Sequence, residues 1–193
     1  MRRSPLVPSL AAIALLSPIG LSGCEDSPGP TGEKVEAAGD STDAGTAGDA
    51  TDSFVAKPVS YEEFQAILAG ADGPVLVDCW AEWCKPCRKG FPHTVALAEK
   101  HADDGLTVVS LAFNDATEQA EVDEFLTSVN ADAVINLRTD DGGGDGTAWD
   151  ALRVIGLPTL LLYNAAGEEV ARLGGSEDLE AEVDAAVADV LGG

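Results

Sequence analysis

The stretch Val75-Leu76-Val77-Asp78-Cys79-Trp80-Ala81-Glu82-Trp83-Cys84-Lys85-Pro86-Cys87-Arg88 decides the fold. It begins as an apolar run holding one carboxylate, Asp78, breaks into a turn with two cysteines two residues apart, and continues with helical spacing. A run apolar on both alternating faces reads as a central strand covered on both sides. At the start of the following helix, free backbone N–H groups and the positive dipole end favour thiolate over thiol at Cys84. Two intervening residues bring the sulfurs within bonding reach. The pattern predicts Cys84 as an exposed nucleophile and Cys87, one turn in and partly covered, as the resolving thiol. A structural disulfide and half of a zinc site are competing readings of the pair. A closed zinc site takes four ligands, the sequence holds no second C-x-x-C, and His93 and His101 both fall on the helix that carries Cys87.

Outward from this stretch, helical and strand patterns alternate. Ser60 with Glu63 three residues later is a capping box opening a helix that Gly70 closes. A first strand is predicted at 54–56. After Cys84 the helix runs to about His101, with Pro86 in its first turn and Pro92 inside it. Then come a buried strand at 105–113, a helix at 118–129, a strand at 133–137, a loop at 140–146 and a helical turn around Trp149. A strand at 158–163, a turn at 165–167 and a strand at 169–173 form a hairpin, and Ser176 caps a final helix bearing Leu179, Val183, Val187 and Val190. This order predicts an α/β fold with a mixed central sheet flanked by helices.

The chain carries 34 acidic against 11 basic residues, a formal net charge of -23. Phosphates would be repelled, so nucleic acid is not an expected partner. Residues 1–23 read as a signal peptide: Arg2 and Arg3 precede a short apolar stretch, too short for a membrane span. Leu21-Ser22-Gly23-Cys24 resembles the bacterial lipobox, which implies lipidation of Cys24; a plain secretory signal with an incidental cysteine is the alternative. Residues 24–53 contain almost no large apolar side chain and read as an acidic tether, with the globular domain at 54–193. Export would place the dithiol outside the reducing cytoplasm.

The segment from Val77 to Arg88 resembles the active-site segment of thioredoxin. Pro92 resembles the family's kink proline, Gly156-Leu157-Pro158-Thr159-Leu160-Leu161-Leu162-Tyr163 its cis-proline strand, and Gly174 the glycine beside its substrate groove. These motifs, over roughly 54–193, imply a thioredoxin-like fold. The extra length between Phe113 and Pro158 resembles the helix–strand insertion of TlpA-like, membrane-tethered thiol:disulfide oxidoreductases. Asp78, Ala81 and Glu82 look more like thioredoxin itself, Lys85 replaces the usual glycine, and Cys79 stands where an aromatic is usual.

The resemblance implies thiol:disulfide exchange on protein substrates, reset by an upstream electron donor or acceptor. No cofactor is expected beyond the Cys84–Cys87 disulfide, and the expected state is a monomer held to the membrane by its lipid. By the same resemblance, Asp78 takes the proton of Cys87. Burial of the carboxylate should raise its pKa, and a pairing with Lys57 is the competing reading. Ser110 takes the place of a lysine that thioredoxin often carries on the neighbouring strand. Pro158 is predicted cis, presenting the Leu157 backbone to an extended substrate. Trp83 is expected to flank the groove, Trp80 to pack, and Cys79 to be a small core residue or a third redox thiol. Lys85, Arg88 and Lys89 are expected to form a cationic collar. A metal-binding or metallochaperone module on the same fold is the alternative function, and a thioredoxin-like peroxidase is disfavoured by the cysteine pattern.

Overall fold

A computed structural model describes residues 54–140 and 147–192. The predicted signal peptide, Cys24 and the tether, with residues 141–146 of the glycine-rich loop, lie outside the described residues. β2 (Val75–Trp80) is the hub of a six-stranded sheet. It pairs in parallel with β3 (Thr107–Ala112) and antiparallel with β5 (Thr159–Tyr163). β4 (Ile135–Thr139) lies beyond β3 and is parallel to it, and β1 (Lys57–Val59) forms the edge, parallel to β4. β6 (Glu169–Leu173) closes the other edge as a hairpin with β5. The sheet order is β1-β4-β3-β2-β5-β6. The predicted α/β class with a mixed sheet is the one observed, and the added helix and strand are present as α3 (Gln119–Ser128) and β4.

All six residues of β2 are buried, and their side chains alternate between two apolar layers. Leu76 and Trp80 pack under α2 (Lys85–His101), α3 and α5 (Leu179–Leu191), with Phe91, Phe125, Leu126, Val183 and Val187. The rings of Trp80, Phe91 and Phe125 lie 4.8–5.4 Å apart, centre to centre. Val75, Val77 and Cys79 face the other layer, with Phe64 of α1 (Tyr61–Ala69), Phe113, Leu161 and Leu152, just past α4 (Thr147–Ala151). Cys79 is thereby a core residue on the face away from Asp78, and burial pushes its thiol pKa up. Among the described residues, no helix is long and apolar enough to cross a membrane.

Several boundaries differ from the sequence expectation, each for a local reason. The first strand sits at Lys57–Val59 rather than 54–56. The N–H of Ala56 donates to Asp123 Oδ1 and its carbonyl accepts from Gln119 Nε2, both at 2.9 Å, so α3 takes the backbone there. Pro58 is tolerated because β1 is an edge strand. β3 begins two residues late, after Gly105 turns at φ 84°. β4 is displaced to Ile135–Thr139 because a 3-10 turn occupies Ala131–Ala133. Ser176 is not the cap of the last helix: its hydroxyl donates to Glu182 and accepts from the N–H of Asp178, and α5 starts at Leu179. The Ser60–Glu63 capping box forms as read, with both reciprocal hydrogen bonds.

Candidate active site

The turn after β2 is fixed from two sides. The N–H of Phe113 donates to Trp80 O at 2.8 Å, prolonging the β2–β3 pairing past the strand ends. The buried Asn114 then accepts from the N–H of Glu82 at 3.0 Å, and its own amide donates to Glu118. The chain next folds back, Cys84 N–H donating to Ala81 O at 3.1 Å, and enters α2 with Cys84 as the N-cap. Pro86 falls in the first turn, where its missing N–H leaves no bond unmade.

Cys84 and Cys87 are joined as a disulfide, their Cα atoms 5.3 Å apart. The N–H of Cys87 donates to Cys84 Sγ at 3.3 Å, so a backbone donor of the first turn points at the sulfur of the first cysteine. The expected exposure of Cys84 is not what the oxidised form presents. Cys84 is 6% exposed and Cys87 3%, because in the bonded state both sulfurs lie against the layer under α2. The expected collar of three cations is also reduced. Arg88 pairs with Glu82 at 2.7 Å, and its guanidinium lies 4.9 Å from the centre of the Phe125 ring, so its charge is already partnered. Lys89 lines the cavity beside the disulfide.

Asp78 projects from β2 to the α2 side and is 4% exposed. Its partner is Thr94, whose hydroxyl donates to Oδ2 at 2.7 Å, while Oδ1 is buried without a partner. Burial raises the carboxyl to about 6, the Thr94 hydrogen bond pulling the other way. The competing Asp78–Lys57 pairing is absent: strands β3 and β4 stand between β2 and the edge strand that carries Lys57. Ser110 lies opposite Asp78 in the β2–β3 register, where the resemblance put it, and donates to Asn136 instead.

A cavity of about 890 Å³ opens between α2, the 157–158 loop and the start of α5. Asp78, Cys87, Thr94, Leu157 and Pro158 line it, which brings the expected proton acceptor, the expected resolving cysteine and the expected substrate-binding loop to one space. The Leu157–Pro158 peptide is cis, as read from the sequence. Gly174 stands against that loop: a Cβ there would lie 2.7 Å from Pro158 O. Neither Gly174 nor Trp83 lines the cavity; Trp83 is 53% exposed on the turn ahead of Cys84, while Trp80 is fully buried. Across the cavity, His93 Nε2 stands 3.3 Å from Asp184 Oδ1 without hydrogen-bond alignment. Among the described residues no group of three or more His, Cys, Asp and Glu side chains is placed to hold a metal ion.

The residue that sequence reasoning missed is Thr94. Its signal was present: it lies seven positions after Cys87, two turns along the same helix face. It is the one polar side chain among the buried residues Cys87, Phe91, Val95, Leu97 and Ala98.

A fold built on a strand, a dithiol at a helix start and a cis-proline loop beside it defines a thioredoxin-type domain. Residues 55–131 match the family model described as Thioredoxin. The chain is 35% identical over 128 residues to a thioredoxin of Alicyclobacillus acidocaldarius, covering 66% of this chain and 90% of that one. This chain belongs to the thioredoxin family. It is also 30% identical over 105 residues to the thiol:disulfide interchange protein HelX of Rhodobacter capsulatus, 54% of each chain, so it spans about half the length of that relative. A secreted disulfide oxidoreductase of Mycobacterium tuberculosis shares the fold at a TM-score of 0.50, with 21% identity over 64% of this chain and 85% of that one.

Proposed function

We propose that this protein is a thiol:disulfide oxidoreductase that acts on protein thiols or disulfides outside the cytoplasm, through Cys84 and Cys87 and as a monomer. The observation that carries the reading is the placement of the pair: Cys84 caps α2 with a backbone N–H on its sulfur, and Cys87 shares a cavity with the buried Asp78. In the reduced protein the Cys84 thiolate attacks a substrate disulfide. A Cys84–substrate bond forms, and the displaced substrate sulfur leaves with the electron pair and takes up a proton. Cys87 then gives its proton to Asp78 and attacks Cys84 Sγ. The Cys84–Cys87 bond forms, and the second substrate thiolate leaves and is protonated. Two electrons have moved to the substrate, carried by the two sulfurs themselves. The reverse sequence oxidises a substrate dithiol, and an upstream donor or acceptor resets the pair.

Leu157 offers its backbone to an extended substrate segment beside Pro158, Gly174 keeps that loop approachable, and Trp83 supplies exposed apolar surface next to Cys84. The extracytoplasmic location rests on the signal-like residues 1–23. Lipidation of Cys24, with residues 24–53 as a tether, would hold the domain at a membrane surface; several acyl chains anchor where one binds only marginally. Replacing Cys24 with Ala should move the exported protein from the detergent phase to the aqueous phase. The exchange reading is tested with Cys84→Ala, which should abolish exchange on insulin or a dithiol peptide; undiminished exchange would overturn it.

A further inference from the structure

We propose that Thr94 is a positioning residue for the proton transfer: its hydroxyl holds Asp78 by Oδ2, so that Oδ1 is the oxygen that takes and returns the proton of Cys87. The inference rests on the exchange reading above for its chemistry and on three observations for its geometry.

Thr94 is 2% exposed, and a buried hydroxyl is costly unless it is bonded. A threonine inside a helix ordinarily returns its hydroxyl to a carbonyl one turn back. Here the hydroxyl donates across to β2, at 2.7 Å from Asp78 Oδ2. Asp78 Oδ1 is buried and has no partner, although its residue lines the cavity that Cys87 also lines. A carboxylate oxygen already accepting a hydrogen is the poorer site for a second one, so the proton arrives at Oδ1. The β-branched side chain allows few χ1 rotamers on a helix, which fixes the carboxyl more firmly than a flexible donor would.

The remaining surroundings leave this control to Thr94. β3 presents Ser110 opposite Asp78, engaged with Asn136, and β5 presents the apolar Leu160. Cys79 lies on the other face of the sheet. The charged groups around the cavity are Lys89 and His93 of α2, Glu180 and Asp184 of α5, and Glu177 and Asp178 ahead of α5. Among the described residues none of these bonds to Asp78. Burial raises the carboxyl and the Thr94 bond opposes it.

The test titrates Asp78 by carboxyl NMR in the oxidised full-length protein and follows dithiol-peptide exchange against pH, for the unsubstituted chain, Thr94→Val and Thr94→Ser. Hydrogen bonds to charged groups are strong enough that the valine variant should raise the Asp78 midpoint by about one pH unit. The ionised fraction below the midpoint should fall by about tenfold, and the exchange limb that needs Asp78 ionised should move to higher pH by the same interval. Serine should restore both. A purely structural threonine would lower stability in the valine variant and leave both midpoints in place, which would overturn the proposal, as would a serine variant displaced as far as valine. If Thr94→Val does not fold, Thr94→Ala carries the same comparison. Absence of exchange in the unsubstituted chain, with the titration shifts intact, would count against the oxidoreductase reading and support the coupling of Thr94 to Asp78.

Discussion

The N–H of Cys87 lies 3.3 Å from Cys84 Sγ and donates to it, so the helix that buries the second cysteine stabilises charge on the first. Among the described residues no such hydrogen bond reaches the sulfur of Cys87, which lies in the first turn of α2 and lines the cavity. Brief alkylation of the reduced protein should therefore label Cys84 several-fold faster than Cys87. Peptide mass mapping reads the ratio; equal labelling would mean that the helix start does not distinguish the two thiols.

Asp78 makes stability depend on pH in a defined direction. Its carboxyl stands near 6 in the fold against an ordinary value of 3.8. Below 3.8 it is protonated whether folded or unfolded. Between 3.8 and about 6 only the folded chain keeps the proton, so stability falls as pH rises through this window and levels off above it. The loss amounts to about 3 kcal/mol at neutral pH. Asp78→Asn should remove most of that dependence, raise neutral-pH stability by roughly 2 kcal/mol and slow exchange. Denaturant unfolding from pH 4 to pH 7, as a rough window around that titration, checks the first two; a variant with the parent's pH profile would sink the assignment.

Two glycines near the site should respond in opposite senses. A Cβ on Gly174 would press into the Pro158 carbonyl, a backbone atom that cannot yield without moving the loop. Gly174→Ala should cost about 1–3 kcal/mol and weaken substrate binding. Gly90, inside α2, has open space around it, so Gly90→Ala should add about 0.5–1 kcal/mol. Thermal unfolding of both variants decides.

Cys79 is the penultimate residue of β2, four positions ahead of Trp83, yet it faces the opposite layer, with Val77, Leu111 and Leu161. Cys79→Ala should leave exchange unchanged and lower stability by about 1 kcal/mol through the small cavity it creates. A loss of exchange without a loss of stability would instead make it a third redox thiol.

The sequence carried the site more fully than its surroundings. β2, the start of α2, the Ser60–Glu63 cap and the 157–158 loop were legible because each is set by neighbours in the chain: a continuous apolar run, a helix start, a reciprocal cap, a proline. The position of β1 was not, because Ala56 spends its backbone bonds on Asp123 and Gln119, more than sixty residues away. The same holds for Arg88. Its charge reads as free in sequence and is taken up in space by Glu82 and Phe125. Thr94 lay between these cases, marked as polar on an apolar face but given meaning only by β2 beneath it.

The central claim is that Cys84 makes the bond to substrate and Cys87 breaks it. With Cys87→Ala in the full-length protein, incubation with a disulfide-containing protein substrate should accumulate a reducible adduct through Cys84, visible on a non-reducing gel and mapped by mass spectrometry. The same substrate should give no adduct with the Cys84→Ala, Cys87→Ala double variant. Failure of the single variant to trap substrate, or equal trapping by the double variant, would contradict the account.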